Sequence, residues 1–198
     1  MKHFALIGFP LGHSLSASYF GEKFAKEGID AEYTPLPIES AEEVLPQCED
    51  LAGFNVTIPH KQSIMPLLAT ISEEARAIGA VNCVKVTPDG LEGYNTDVVG
   101  IRKSLEGTHL AGAKALVLGT GGASKAVQYA LREGGAEVAV VSRTEGVADL
   151  TYNDLSEELI ANTDIIVNTT PLGMFPNVDS APALPYSALS AKHTLFDC

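Results

Sequence analysis

Short apolar runs alternate with amphipathic stretches along the whole chain. Phe4 to Phe9 reads as a buried strand, and Gly8, Pro10 and Gly12 break it into a loop. Ala17, Phe20 and Phe24 then recur at helical spacing, with Gly28 closing the helix. Ala31 to Ile38 is a second, proline-marked strand, and Glu39 to Cys48 a short helix entered through Ser40. Phe54 to Ile58 is a buried strand stopped by Pro59, which puts Lys61 on the first turn of the following helix, itself broken at Met65-Pro66. Ser72-Glu73-Glu74 opens a helix that ends at Gly79. Ala80 to Val86 and Leu91 to Tyr94 pair as a hairpin around Pro88-Asp89-Gly90, and Val98, Ile101 and Leu105 mark a helix capped by Asn95 or Thr96.

Gly107 to Lys114 reads as a linker, so two domains are expected, residues 1–107 and 108–198. In the second, the uncharged strand Ala115–Gly119 runs into Gly119-Thr120-Gly121-Gly122-Ala123-Ser124. A helix carrying Ala126, Val127, Ala130 and Leu131 follows, then Gly134-Gly135 and the buried strand Glu137–Val141. Strand, glycine turn, helix and strand within about 30 residues make a parallel βαβ unit. Its glycines permit a tight turn and close backbone approach to a pyrophosphate lying at a helix N-terminus. The next strand ends in Ser142-Arg143-Thr144, where NAD binders usually carry an acid for the ribose 2′-hydroxyl. An arginine between two hydroxyls suits a 2′-phosphate, which favours NADP, although Glu145 and Asp149 leave the clamp modest. Asp154 is expected to cap a short helix with Glu157 as its capping-box partner. Asp164 to Thr169 is a third buried strand, leading into Thr170-Pro171-Leu172-Gly173-Met174 at a carboxyl end, where doubly wound sheets bind ligands.

Several polar positions each have two readings. Ser14 and Ser16 precede a helix and suit capping, yet two hydroxyls after a strand end also suit a carboxylated or polyhydroxylated ligand. Asn82 lies in an apolar strand, as a core network member or a ligand contact. Asp97 falls in a first helical turn, where the helix dipole favours a carboxylate, but that does not explain three polar groups crowding one junction.

Composition narrows the partners. With 13 basic and 25 acidic residues, net −12, the chain is expected to repel nucleic acid and anionic lipid. Cys48, Cys83 and Cys198 are sparse and odd in number, which fits a reducing compartment rather than a disulfide framework or zinc site, and the five histidines lack metal-like spacing. No run reaches the ~18 apolar residues of a membrane span, and the N-terminal run is too short for a signal peptide. A cytoplasmic protein acting on a small molecule is expected, as a monomer or homodimer, with no metal.

The order of these motifs resembles the shikimate dehydrogenase family. The resemblance rests on Gly12-His13-Ser14-Leu15-Ser16, Phe54-Asn55-Val56-Thr57-Ile58-Pro59-His60-Lys61, Gly79-Ala80-Val81-Asn82 and Asn95-Thr96-Asp97. It continues through Gly119-Thr120-Gly121-Gly122-Ala123-Ser124, Ser142-Arg143-Thr144 and Asn168-Thr169-Thr170-Pro171-Leu172-Gly173-Met174. It implies an α/β protein: an N-terminal substrate-binding α/β domain followed by a Rossmann-type, doubly wound parallel-sheet NADP-binding domain. The implied reaction is NADP-dependent reduction of 3-dehydroshikimate to shikimate. Ser14, Ser16, Thr57, Asn82 and Asp97 are implied to line the substrate site, with Lys61 and Asp97 as the acid/base pair. Glu73, Thr169 and Cys198 are implied at the cofactor side, beside the glycine turn (Gly119, Thr120, Gly121, Gly122, Ala123) and Ser142, Arg143 and Thr144. Past Phe196-Asp197 the family adds a tyrosine contact, a glycine-rich turn, a substrate-holding glutamine and bracing helices that do not follow here. A form that binds ligands without turnover is therefore one alternative, and a quinate dehydrogenase using NAD is another.

Overall fold

The computed structural model describes residues 1–12 and 14–198; His13, in the first of the motifs above, lies outside the described residues. The chain divides into two compact units, Met1–Thr96 and Asp97–Cys198. The division falls ahead of the expected 107/108 boundary because the helix after Thr96 packs within the second unit. That helix buries Val98 and Ile101, and its Arg102 forms a two-pronged ion pair with Glu133, at 2.7 and 2.9 Å.

In the first unit the strands are β1 (Lys2–Gly8), β2 (Ala31–Pro37), β3 (Gly53–Val56), β4 (Thr70–Ile71), β5 (Cys83–Thr87) and β6 (Gly90–Tyr94). They form one mixed sheet in the order β2-β1-β3-β5-β6-β4. β1, β2 and β3 are parallel, while β5 runs antiparallel to both β3 and β6. Strand alternation sends Ala5, Ile7, Phe54, Val56 and Val84 to one face, where they join Val44, Ile64 and Ala75 in the core. The opposite face carries Phe4 and Tyr33, and helix α1 (Ser16–Glu27) lays Phe20 and Phe24 over them. Helix α2 (Glu73–Ile78) starts and stops as expected: Ser72 Oγ accepts from Ala75 N, and Gly79 takes the left-handed conformation at φ +71°.

Three expectations shift. β3 ends at Val56 instead of Ile58, although Thr57 N still donates to Ile7 O at 2.9 Å. Residues 59–64 form successive turns instead of a helix, leading into the 3₁₀ segment Met65–Leu67. The Glu39–Cys48 helix is a 3₁₀ run, Ala41–Asp50, with Glu43 accepting from Ser40 N at 2.7 Å and Pro46 inside it.

The second unit contains helices α3 (Asp97–Ser104), α4 (Gly122–Glu133) and α5 (Glu157–Ala161). Its strands are β7 (Lys114–Leu118), β8 (Glu137–Ser142), β9 (Leu150–Thr151), β10 (Ile165–Asn168) and β11 (Thr194–Asp197). The sheet is parallel throughout, in the order β11-β10-β7-β8-β9. β7 therefore has its successor β8 on one side and β10 on the other, the strand reversal of a doubly wound dinucleotide-binding sheet. α4 packs on β7 and β8 with Ala126, Val127, Ala130 and Leu131 buried. Leu116, Leu118, Val141 and Ile166 form a second core with Leu155 and Ile160.

The β8–β9 crossover is unusual. Residues 143–149 connect two parallel strands without a helix, far below the dozen or more residues such a crossover normally needs. Asp149 holds the loop in by accepting from Val140 N at 2.8 Å. The expected Asp154–Glu157 capping box is replaced by two other devices. Asp154 accepts from Thr151 N and Thr151 Oγ1 at 2.7 and 2.8 Å, and Ser156 caps α5 by accepting from Leu159 N.

Two glycines separate the packing requirement from backbone freedom. A methyl group on Gly53 would lie 2.7 Å from the carbonyl oxygen of Val84, whereas one on Gly100, inside α3, would meet open space. Gly53→Ala is expected to lower stability by ~1–3 kcal/mol because backbone must move. Gly100→Ala should raise it by ~0.5–1 kcal/mol through helix propensity. Urea unfolding of both variants checks the opposite signs.

Candidate active site

In the first unit, β1 and β3 run side by side in register from Phe4↔Gly53 to Ile7↔Val56 and finish at the same sheet edge. Phe9 N donates to Ile58 O, and Thr57 N to Ile7 O, so the pairing carries past both strand ends. Gly8 makes this possible, since a methyl there would strike Thr57 Cγ2 at 2.4 Å and Ile58 O at 2.9 Å. Thr57 O then accepts from His60 N, and His60 O from Ile64 N, folding residues 57–64 into a compact turn.

His60 is buried, with Nε2 2.7 Å from Ile38 O and Nδ1 3.4 Å from Ser63 Oγ. A carbonyl oxygen only accepts, so Nε2 donates to Ile38 O, while Nδ1 faces the Ser63 hydroxyl. Ile64, fully buried, anchors the other side of the turn. Lys61 is held between these anchors, and its carbonyl accepts from Val81 N at 2.7 Å. That bond ties the lysine to the segment carrying Asn82. Thr57, Lys61 and Asn82 are thereby gathered at one sheet edge.

Asn82 is buried and bonded through both ends. Its Oδ1 accepts from Thr96 N at 2.8 Å, its Nδ2 lies 3.0 Å from Thr96 Oγ1, and its backbone oxygen accepts from Val56 N. Asn95, also buried, donates to Ala80 O at 2.9 Å. The two polar residues expected to cap α3 thus knit the β5–β6 hairpin ends together. Asp97 follows as the first residue of α3, in the second unit.

The serines sit at the start of α1. Leu15 holds the cap position without a side-chain bond, while Ser14 Oγ accepts from Ser16 N at 3.3 Å and remains exposed. Capping is therefore weak, and both hydroxyls keep bonding capacity. The Ser16 hydroxyl reaches Tyr33, whose own hydroxyl donates to Asn55 Oδ1 at 2.9 Å. Asn55 Nδ2 in turn donates to Asn82 O at 3.3 Å. Tyr33, Asn55 and His60 are site-building residues that the sequence did not single out, although Asn55 and His60 share the signal that marked Asn82, a polar side chain within an apolar run. Glu73 stands exposed in the first turn of α2.

In the second unit, the expected cofactor residues collect where β7 and β10 end side by side, with Leu118 opposite Asn168. Thr169 donates to Leu118 O from both its N and Oγ1, at 3.0 and 2.6 Å. Gly119, at φ +111°, passes so close that a methyl there would lie 2.7 Å from Thr169 Oγ1. Ser124, fully buried, donates to Gly119 O at 2.6 Å and closes the turn from inside. Gly121 begins α4 with no side-chain cap, and a methyl on it would meet open space. Uncapped first-turn N–H groups beside open space are what a pyrophosphate needs, so the turn fits a dinucleotide. Cys198, just beyond β11, donates its N–H to Asn168 O at 3.0 Å, next to Thr169. At the end of β8, buried Ser142 accepts from Thr144 N at 3.0 Å and shapes the turn that leaves Arg143 exposed. Among the described residues no cluster of His, Cys, Asp and Glu could hold a metal ion, and no helix is long and apolar enough to cross a membrane.

A mixed-sheet unit followed by a doubly wound parallel sheet with an open glycine turn defines a two-unit α/β protein of the dinucleotide-binding class. A model of the shikimate dehydrogenase substrate binding domain matches residues 6–84. The shikimate dehydrogenase (NADP(+)) of Methanococcus maripaludis is 36% identical, with 99% of this chain and 77% of the relative covered. That of Carboxydothermus hydrogenoformans is also 36% identical, covering 97% and 76%. The Aquifex aeolicus shikimate dehydrogenase structure superposes with a TM-score of 0.85 at 34% identity, over all of this chain and 78% of that one. The Thermus thermophilus shikimate 5-dehydrogenase, solved with NADP(H) and shikimate, gives 0.85 at 31% identity with the same coverage. The chain belongs to the shikimate dehydrogenase family.

Tyr33 supplies a pH test of this site. Burial, the largest influence, pushes its phenol up to about 12 from the ordinary 10.0; the Ser16 hydrogen bond opposes this and nearby Cys83 adds to it. The folded chain therefore holds this proton after the unfolded chain has released its own. Stability is expected to fall as pH rises from about 10 to about 12. Tyr33→Phe should lose less over that window than the parent, which chemical denaturation at stepped pH measures.

Proposed function

We propose that this chain catalyses the NADP-dependent, reversible reduction of 3-dehydroshikimate to shikimate, as a cytoplasmic enzyme of the route to chorismate and the aromatic amino acids. The observation that carries this reading is the placement of Lys61, held between buried His60 and Ile64 with its carbonyl bonded to Val81 N, beside Asn82 and Thr57. NADPH, when bound, supplies the hydride to the ketone carbon. Lys61, a primary ammonium, donates a proton to the ketone oxygen as negative charge builds there, giving the alcohol. Asp97 is the carboxylate that accepts a hydrogen bond from a substrate hydroxyl. Ser14 and Ser16 donate to the substrate carboxylate, and Thr57 and Asn82 meet the ring hydroxyls.

The cofactor is held by the second unit's own groups. The Gly119–Ala123 turn, with Thr120, Gly121 and Gly122, and the start of α4 receive the pyrophosphate, as the open space at Gly121 supports. Ser142, Arg143 and Thr144 receive the 2′-phosphate, for which an exposed guanidinium at the end of β8 is the matching charge. Thr169 and Cys198 complete the second unit's cofactor side, and Glu73, in the first unit, is a further candidate contact.

Lys61→Ala is expected to lower turnover by ~10²–10⁴-fold with the fold intact, because it removes a general acid. The assay follows NADPH absorbance with shikimate, and near-parental turnover would reject the role of Lys61. Arg143→Ala should weaken NADP more than NAD in parallel binding titrations; an equal loss for both cofactors would reject the 2′-phosphate contact.

A further inference from the structure

The α1-covered face of the first unit's sheet carries polar side chains where an apolar filling would be the default. Asn55 stands on β3 opposite Leu6 of β1 and Cys83 of β5. Tyr33, on β2, reaches it across β1, and the tyrosine ring is stacked on Phe20 of α1 with centroids 4.5 Å apart and planes 18° from parallel.

The direction of every proton in this chain of groups follows from the Asn82 carbonyl. That oxygen only accepts, so the amide end of Asn55 facing it, at 3.3 Å, is the NH₂. Oδ1 of Asn55 therefore faces Tyr33 at 2.9 Å and, being an acceptor, takes the one proton the tyrosine has. Tyr33 Oη is left with lone pairs alone, and these meet the Ser16 hydroxyl. With Tyr33 Oη able only to accept, the Ser16 hydroxyl beside it is the donor.

We infer that Tyr33 is a positioning residue for the substrate: through its hydroxyl it fixes the Asn55 amide against the Asn82 segment. It thereby ties β2 to the Asn82 stretch across β1 and β3. This rests on the functional reading above, in which Asn82 meets shikimate, and deepens it by naming what holds the Asn82 segment in place.

Tyr33→Phe keeps the ring and its stack on Phe20 and removes only the hydroxyl. With the full chain, shikimate and NADP affinities are measured separately by calorimetry. The expected result is shikimate binding weakened by roughly 5- to 20-fold, the scale of a lost hydrogen bond between part-buried groups, with NADP affinity unchanged. In an Asn55→Ala background, Tyr33→Phe should add little further loss, because its effect passes through Asn55. Unchanged shikimate affinity, equal weakening of shikimate and NADP, or full additivity with Asn55→Ala would each overturn the inference. Absence of shikimate binding by the parent chain would instead overturn the functional reading, and the inference with it.

Discussion

The substrate side of this protein depends on one buried imidazole. His60 has 2% of its surface exposed and satisfies itself internally, through Ile38 O and the Ser63 hydroxyl. A histidine with both ring nitrogens bonded is tolerable in an apolar setting, whereas an unbonded one would carry a desolvation cost of ~1–3 kcal/mol. The bond to Ile38 pulls the 57–64 turn onto the sheet edge, and Ile64 holds its far side. Between those points the lysine backbone has little freedom, so no loop has to be ordered there. Ordering one would cost about 1–2 kcal/mol for every residue fixed.

The cofactor side meets its constraint by leaving room instead of by filling it. Gly119 passes Thr169 at a distance and φ that a side chain would not allow, and Gly121 opens α4 onto empty space. Ser124 then secures the turn from within, bonding Gly119 O while remaining wholly buried. Close approach, open space and an uncapped helix start serve one requirement, the delivery of backbone N–H groups to an anion.

The helix-free β8–β9 crossover departs from the usual strand, helix, strand plan of parallel sheets. Seven residues suffice only because Asp149 folds back to Val140 N and because β9 is two residues long. The exposed Arg143 therefore stands on a short, tied loop, with Ser142 bracing Thr144 beside it.

Local pattern carried much of this architecture. The glycine turn, the hairpin around Pro88-Asp89, the Ser72 cap with its Gly79 stop, and the parallel second sheet all follow from periodicity and turn chemistry acting over a few residues. Element ends were less legible: Asp154 looks like a helix cap until Ser156 is seen to take that place two residues later. What the sequence could not reveal were the partners of its isolated polar residues. Asn55, Asn82 and Tyr33 are 22 and 27 positions apart along the linked path, and only sheet pairing decides that they meet. His60 is likewise joined to Ile38 from 22 residues away. The sequence by itself determined that polar groups had to be buried in apolar strands, and so had to be paired, because an unpaired one is too costly. Which pairs formed was decided by strand order and register, which depend on contacts that no local pattern encodes.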